Sequence, residues 1–211
     1  MSDTCNIEFF YSAHSAFAYI GYRRLQEICL AHNAVLRHRP IDLDLVVYAS
    51  GAQQYEERSS THKNYYFGRE IERWAEFREV EILSHTPTHH WKPLGLANGM
   101  LIAASQSNVD VNTLAFAIMQ SHWRDNADIS DCATLAKVAR NVDIDPDALL
   151  EAALSAGVQD IHSKNAKDAI ECGVLGSPTF ILDGDMFYGQ DRLDFLERAL
   201  VQPFAANKFV T

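Results

Sequence analysis

The hydrophobic pattern divides the chain into two strand-containing ends and a long helical middle. Residues 7–11 form a short apolar and aromatic run that is typical of a strand, and residues 16–29 carry apolar side chains at helical spacing. Residues 35–39 are the next strand candidate. Because a helix separates these two strands, their order favours a parallel pair joined by a right-handed crossover.

Helical periodicity dominates the middle of the chain. Two prolines in residues 84–93 break it, and residues 42–48 fit either a helix or a loop. Asp145-Pro146 places a proline just inside the start of a helix. The predicted helices cover residues 62–77, 94–104, 111–123, 147–156 and 158–172.

Residues 173–193 have the most specific local pattern. A loop that ends in Ser177-Pro178 runs into an apolar strand, and Asp183-Gly184 predicts a tight hairpin turn before a second strand. The Ser177-Pro178 bond is a candidate for the cis form, which would present the backbone of Ser177 to an extended peptide. The predicted elements here are strands at residues 179–182 and 186–188 and a closing helix at residues 191–201.

The two ends together have the β-α-β and β-β-α order of a thioredoxin-like layout, with the helices inserted between them. The predicted fold class is therefore α/β, a thioredoxin-like fold with a large all-α insertion domain. We assign residues 1–45 and 172–211 to the thioredoxin-like domain and residues 46–171 to the inserted helical domain.

Composition and charge exclude several classes of function. With 47% hydrophobic and 22% charged residues, the chain has the composition of a soluble globular protein, and its net charge of −10 argues against a nucleic-acid partner. No apolar run approaches the roughly 18 residues of a membrane span. The first six residues lack the pattern of a secretory or transit signal, so we expect a cytoplasmic protein. Its four cysteines include no Cys-x-x-Cys pair, which favours reduced thiols.

Two segments carry a resemblance to a known family. Residues 10–21, where a strand ends and a serine starts an aromatic-rich helix, and residues 173–193, with their Gly-Gln-Asp-Arg-Leu ending, resemble the 2-hydroxychromene-2-carboxylate isomerases and the kappa-class glutathione transferases. Residues 61–63 and 123–125 resemble the middle of the same family. The resemblance extends over nearly the whole chain and implies a thioredoxin-like fold, glutathione as cofactor and a homodimer.

Ser15 falls on the catalytic serine of that family. It lies at the predicted first turn of a helix, where free N–H groups and the helix dipole favour an anion. The resemblance implies that its hydroxyl donates a hydrogen bond to the thiolate of glutathione. No thiol occurs in residues 15–18, which excludes dithiol redox chemistry at this place. The alternative is a serine that only caps the helix.

The resemblance implies a glutathione site made of Ser15 and residues from the later motifs. Ser177, with Pro178, would pair with the cysteinyl backbone of glutathione. Gln190 and Asp191 would contact the γ-glutamyl end of glutathione, and Lys63 would contact its glycyl end. The alternatives to these roles are a turn proline without ligand, a helix N-cap at Asp191 and a solvated lysine at position 63.

The chain departs from the family pattern at three places. The Ser-Pro pair of the family is Ser15-Ala16 here, which removes a rigid helix start but keeps the hydroxyl. The Gly-Asn pair that precedes the lysine in the family is not clearly matched, since this chain has Gly-Ala-Gln-Gln at residues 51–54 and a longer spacing to Lys63. Gln53 or Gln54 is a possible replacement for the asparagine. His14 is unusual beside the catalytic position, where it could tune Ser15 or face the second substrate; the favoured alternative is an exposed loop histidine.

The second substrate is assigned to the loops near Ser15. A loop with His85, His89 and His90 borders the aromatic-substrate pocket in the family, and its groups would suit an aryl carboxylate. The cluster lacks carboxylates or cysteines at ligand spacing, so we expect no metal. The substrate-binding candidates are His14, Phe17, His89 and Trp91.

The resemblance implies a glutathione-dependent isomerase of bacterial aromatic catabolism. It would act on 2-hydroxychromene-2-carboxylate or a related unsaturated aromatic acid by thiolate addition, bond rotation and elimination. The first alternative is a kappa-class-like glutathione transferase, which would release the thioether. The second is a redox-inactive thioredoxin-like binding module.

Overall fold

A four-stranded mixed sheet forms the centre of the computed structural model, which describes residues 5–206. The strands lie in the order β2-β1-β3-β4, with β1 and β2 parallel and both other pairs antiparallel. The predicted parallel pair is therefore confirmed. Residues 1–4 and 207–211 of the predicted thioredoxin-like domain lie outside the described residues. The strands are β1 (Cys5–Tyr11), β2 (Ala34–Pro40), β3 (Thr179–Leu182) and β4 (Asp185–Tyr188).

Ten α-helices surround this sheet within residues 5–206. A π-helical turn, Tyr65–Arg69, joins two of them, and a 3₁₀ turn, Gln190–Arg192, precedes the last. The helices are α1 (Ala16–His32), α2 (Leu43–Ala49), α3 (Ser60–Asn64), α4 (Glu70–Phe77), α5 (Gly95–Ser105), α6 (Val111–Trp123), α7 (Cys132–Arg140), α8 (Asp147–Ala153), α9 (Ala156–Glu171) and α10 (Leu193–Val201).

Most predicted elements are confirmed, and two need correction. The segment 42–48 is a helix, because the Asp42 side chain caps it by accepting from the Leu45 N–H. The single helix predicted over residues 62–77 is interrupted by the π-helical turn. The helix predicted from residue 191 begins at Leu193, since the chain enters it from Gly189 at a φ of 100° and through a 3₁₀ turn.

The hairpin between β3 and β4 forms as its sequence predicts. Asp183 and Gly184 have φ values of 51° and 85°, which two-residue hairpins need at both central positions. This turn pairs Thr179 with Tyr188 across the ladder. The register therefore brings Tyr188 next to the Ser177-Pro178 junction that precedes β3.

One apolar core runs through both predicted domains. Phe9 of β1 stacks on Phe180 of β3 at a ring distance of 5.5 Å, and the same buried cluster continues into Met100 of α5 and Ile118 of α6. A side chain at Gly99 would collide with the backbone carbonyl of Ala153, so α5 and α8 are in close contact. The domain boundaries stay a prediction. No helix within the described residues combines the length and the apolar character of a membrane span.

A buried amide ties the loop before α1 to the helical region. Asn98 of α5 accepts from the Ala13 N–H at 3.1 Å and donates to the Ile41 carbonyl at 3.0 Å. Its amide nitrogen also lies 3.1 Å from Nε2 of His162 on α9. These bonds fix the start of α1 relative to β2, α5 and α9.

Replacing Asn98 with leucine should destabilise the protein by about 2–4 kcal/mol, because the buried Ala13 N–H loses its partner and the Ile41 carbonyl loses the amide donor. Urea unfolding measures this loss. The matched control is Asn141→Leu at an exposed position, which should change stability by no more than about 0.5 kcal/mol. Equal effects of the two substitutions would contradict the role of the amide.

A buried histidine should make stability depend on pH. His38 accepts from the Tyr11 hydroxyl at 2.8 Å and donates to Asn112 Oδ1 at 2.9 Å, and burial lowers the pKa of His38 to about 4. Below about pH 6.5 the unfolded chain binds a proton that the folded chain rejects. The contribution of neutral His38 to the free energy of unfolding is therefore complete above about pH 6.5 and is lost as pH falls from there through about 4.

Urea titrations from about pH 7.5 to 4 should show this loss, which amounts to about 3 kcal/mol for a shift of this size. His38→Gln should reduce the dependence by about this amount and leave the part due to the other buried histidines, whereas His85→Gln at an exposed position should leave it unchanged. The assignment fails if both variants keep the slope of the parent protein.

Candidate active site

A cleft of about 140 Å³ opens where the start of α1 meets the Ser177-Pro178 turn. Helices α2, α4 and α6, the segment of residues 54–58, the π-helical turn and the loop of residues 78–94 form its other walls. An adjoining groove of about 80 Å³ shares Phe17, Tyr66, Ser177 and Tyr188 with the cleft and extends it towards Gln190. The two cavities form one continuous concave surface around Ser15.

Ser15 is both the helix cap and a cleft residue. Its Oγ accepts from the Ala18 N–H at 3.3 Å and donates to the Ser177 carbonyl at 3.3 Å. No acidic residue lies in the first turn of α1, so nothing there opposes the positive end of the helix dipole. Ser15 therefore does cap α1, as the alternative states, and the same residue also lines the cleft.

The Ser177-Pro178 bond is cis, as its place before β3 predicts. Ser177 lines the cleft, and its Oγ accepts from the Ser12 N–H at 3.2 Å. Pro178 is buried behind it, and its carbonyl accepts from the Gly189 N–H at 2.9 Å. Ser177 is thus held against the start of α1 from two sides.

Gln190 and Asp191 lie together in the adjoining groove. Gln190 is buried, its Oε1 accepts from Arg78 Nε at 3.4 Å, and its Nε2 has no partner among the described residues. A side chain at Gly21 of α1 would come within 2.5 Å of the Gln190 Cβ, so a glycine is needed where α1 packs on this segment. The groove therefore contains a buried donor, Nε2 of Gln190, without an acceptor among the described residues.

Lys63 and His89 do not line the cleft. The Lys63 ammonium donates to the Glu56 carbonyl at 3.0 Å and lies over the Tyr55 ring, in a separate groove. His89 lies 3.8 Å from Asp128, which already binds Lys92 at 2.5 Å. The side chains thus have partners elsewhere, and the structure does not bring them to Ser15.

Arg58 is the only lysine or arginine that lines the cleft within the described residues. Its guanidinium donates to the Gln53 carbonyl at 3.0 Å and lies 3.0 Å from His62 Nε2. Gln54 also lines the cleft and donates to the Asp44 carbonyl at 3.2 Å. The cleft therefore has one guanidinium among its described lining residues, and the contact of Lys63 with the glycyl end of glutathione stays a prediction.

Aromatic side chains form most of the remaining wall. Phe17 contacts Tyr66 at a ring distance of 5.1 Å, and Trp91 contacts Tyr55 at 4.6 Å. Trp91 is 58% exposed, so it covers the edge of the cleft rather than its floor. Burial raises the pKa of Tyr66, and the neighbouring Tyr188 raises it further. These rings suit a flat apolar ligand.

His14 lines the cleft as a partly buried side chain, which corrects the favoured view of an exposed loop histidine. Its Nδ1 lies 3.0 Å from Ser12 Oγ, and its backbone carbonyl accepts from the Trp123 indole at 2.7 Å. Burial lowers the pKa of His14 well below its usual value, and the nearby His90 lowers it further. His14 is therefore neutral near pH 7.

Sequence reasoning missed Arg58 and Tyr188 and did not single out His90 from its neighbours. Tyr188 reaches the cleft through the β3–β4 register, a signal that the predicted hairpin contained. Arg58 lies in a segment without periodicity, so no local pattern identified it. Within the described residues, no group of three or more histidines, cysteines or carboxylates is arranged to hold a metal ion.

Known proteins share this arrangement of elements. The chain is 29% identical over 202 residues to 2-hydroxychromene-2-carboxylate isomerase of Sphingobium xenophagum, with 94% of this chain and 99% of the relative covered. The isomerase of the same name from Pseudomonas sp. (strain C18) is 26% identical over 92% of this chain and 89% of its own. The resemblance to isomerases of that name is thus confirmed.

The fold comparisons agree with the sheet and helices described above. A solved structure of 2-hydroxychromene-2-carboxylate isomerase matches with a TM-score of 0.78 at 22% identity, over 93% of this chain and 95% of that structure. This match confirms the predicted thioredoxin-like fold with its helical insertion. A family model described as a DsbA-like thioredoxin domain matches residues 6–201, and the chain belongs to that family.

Proposed function

We propose that this protein is a glutathione-dependent isomerase of an unsaturated aromatic carboxylate. The observation that carries the proposal is the position of Ser15, whose hydroxyl meets the Ser177 carbonyl in a cleft without a cysteine among its described lining residues. The relatives named as isomerases support the reaction class. A 2-hydroxychromene-2-carboxylate or a similar acid is the proposed substrate.

The residues around Ser15 fit a bound tripeptide thiol. The unpartnered Gln190 Nε2 suits the carboxylate of a γ-glutamyl group, and the Asp191 carboxylate, which also accepts from Arg192 at 2.7 Å, suits its ammonium. Ser177 would pair with the cysteinyl backbone. When bound, glutathione supplies a thiolate that adds reversibly to a conjugated carbon and so permits rotation about the former double bond. The remaining chemistry falls to the side chains of the cleft.

Ser15 has a single hydroxyl proton, which donates to the Ser177 carbonyl in this structure. A thiolate in the cleft competes for that proton, and a charged acceptor forms the stronger hydrogen bond. The first turn of α1 adds N–H groups that favour a negative charge at the same place. Together these groups would keep a thiol ionised near pH 7.

Arg58 and the aromatic wall are the proposed site of the second substrate. A guanidinium binds a carboxylate with two parallel hydrogen bonds, which fixes the direction of a flat acid. Phe17, Tyr66 and Trp91 would contact its ring. We no longer assign the carboxylate to His89, because His89 lies beside Asp128 outside the cleft.

A glutathione transferase would use the same residues, so turnover separates the two activities. An isomerase regenerates glutathione, whereas a transferase consumes one molecule for each product. In a binding module without activity, the binding of glutathione and of substrate would not depend on Ser15. Measuring free thiol during the reaction distinguishes the two enzymes.

Ser15→Ala should lower kcat/KM by about 100-fold or more, since the thiolate loses its hydroxyl donor. Isomerisation is followed by absorbance at saturating glutathione. The matched control is Ser155→Ala, which removes an equivalent cap from α9, distant from the cleft, and should leave the rate unchanged. A folded Ser15→Ala protein with full activity would contradict the proposal.

Glutathione should raise the melting temperature by several degrees at about 10 mM, because it binds only the folded chain. Gln190→Met, which keeps the volume but removes the buried donor, should reduce this rise by at least half. Gln202→Met at an exposed position is the control. Absence of any shift in the parent protein would favour the binding module without glutathione.

A further inference from the structure

His90 and His122 form a hydrogen-bonded pair between the loop of residues 78–94 and helix α6. His122 is completely buried, and its Nδ1 lies 3.2 Å from the backbone oxygen of Ala127. Its Nε2 lies 3.1 Å from Nδ1 of His90, and the two rings are nearly coplanar and edge to edge, with 18° between their planes and 5.3 Å between their centroids. The pair therefore connects a backbone carbonyl to a side chain that lines the cleft.

The backbone carbonyl determines where both rings carry their hydrogen. Because the Ala127 oxygen can only accept, Nδ1 of His122 carries the hydrogen, and Nε2 of a neutral His122 is then an acceptor. Nδ1 of His90 must donate to that acceptor. The same rule leaves Nε2 of His90 with a lone pair and no hydrogen.

The surroundings keep both rings neutral. Burial, together with the adjacent His122, lowers the pKa of His90 to about 3, and burial lowers the pKa of His122 to about 4. Asp128, the carboxylate that acts on His122, is paired with Lys92 at 2.5 Å, and His89 lies 3.8 Å from it. His90 is thus a neutral acceptor near pH 7, too weakly basic to hold a proton.

Nε2 of His90 has no hydrogen-bond partner among residues 5–206. The ring is enclosed by His14 at 4.7 Å, Trp91 at 4.7 Å and Trp123 at 5.3 Å, measured between centroids. This nitrogen is accessible from the cleft, so a ligand that covers it without offering a donor leaves it without water or a partner, which costs free energy. The acceptor therefore favours a ligand that carries a hydrogen-bond donor such as a hydroxyl group.

We propose that Nε2 of His90 accepts a hydrogen bond from a ring hydroxyl of the aromatic substrate, with His122 as the positioning residue that fixes its tautomer. The inference rests on the proposed function, because it specifies the substrate class at the same cleft. A hydroxyl beside the unsaturated carboxylate chain satisfies the acceptor. An otherwise identical ring without the hydroxyl leaves it unpaired, and sites built this way reject such analogues strongly.

Calorimetry with the probe pair 2-hydroxycinnamate and cinnamate tests the proposal on the intact protein without turnover. The parent protein should bind 2-hydroxycinnamate at least about 10-fold more tightly than cinnamate, since one buried hydrogen bond separates the two probes. His90→Phe keeps a ring of similar size without an acceptor and should bring the ratio close to 1. His85→Phe in the same loop, at an exposed position, should leave the ratio unchanged.

His122 provides a second and independent readout. His122→Leu removes the acceptor that holds Nδ1–H of His90 and should reduce the ratio, whereas His122→Gln offers a carbonyl acceptor and should retain most of it. A purely structural role of His122 would lower both affinities together and leave their ratio unchanged. If His122→Leu does not fold, the parent protein and His90→Phe decide the question.

Equal binding of the two probes to the parent protein, or an unchanged ratio in His90→Phe, overturns the inference and leaves the isomerase proposal standing. Failure of the parent protein to bind either probe removes the aromatic carboxylate as substrate class and overturns both. The affinity ratio of the two probes is measured with and without glutathione. A variant that has lost only glutathione binding is recognised separately, because glutathione no longer raises its melting temperature.

Discussion

The amide of Asn98 holds the part of the molecule on which the cleft depends. It joins the loop before α1 to the end of β2 and to α9, through Ala13, Ile41 and His162. A buried amide with its donors and acceptors satisfied specifies one arrangement of the segments it joins, because any other arrangement leaves polar groups unpaired. Together with the bond from the Trp123 indole to the His14 carbonyl, this side chain positions Ser15 relative to the helical insertion.

Ser15 illustrates how one fold supports different chemistry. In the DsbA-like thioredoxin family the start of α1 combines a helix dipole with free N–H groups, which stabilise an anionic sulfur. This chain keeps that environment and the cis Ser177-Pro178 turn, but none of its four cysteines lies among the cleft residues that the structure describes. The proposed glutathione dependence would supply the sulfur from a ligand instead.

The cleft is electrostatically distinct from the acidic chain that surrounds it. Its histidines are neutral because burial opposes a charge, and among its described lining residues Arg58 supplies the one guanidinium and Asp44 the one carboxylate. Neutral acceptors beside the guanidinium suit the proposed monocarboxylate that also carries a hydroxyl. Selectivity of this kind depends on the penalty for unpaired polar groups more than on the strength of any one attraction.

Local signals determined most of the elements: helix α6, strand β2, the Ser15 cap and the Asp183-Gly184 hairpin all follow from periodicity, capping and turn chemistry. The resemblance of the closing segment identified Ser177, Gln190 and Asp191, which the structure brings together around the cleft and its adjoining groove. It could not show that Arg58 rather than Lys63 or His89 reaches the cleft, nor that His122 orients His90. His90 and His122 are 32 positions apart, and Arg58 shares the cleft with residues from distant parts of the chain, so only the packing of α6 and the loops against α1 decides which side chains share a cavity.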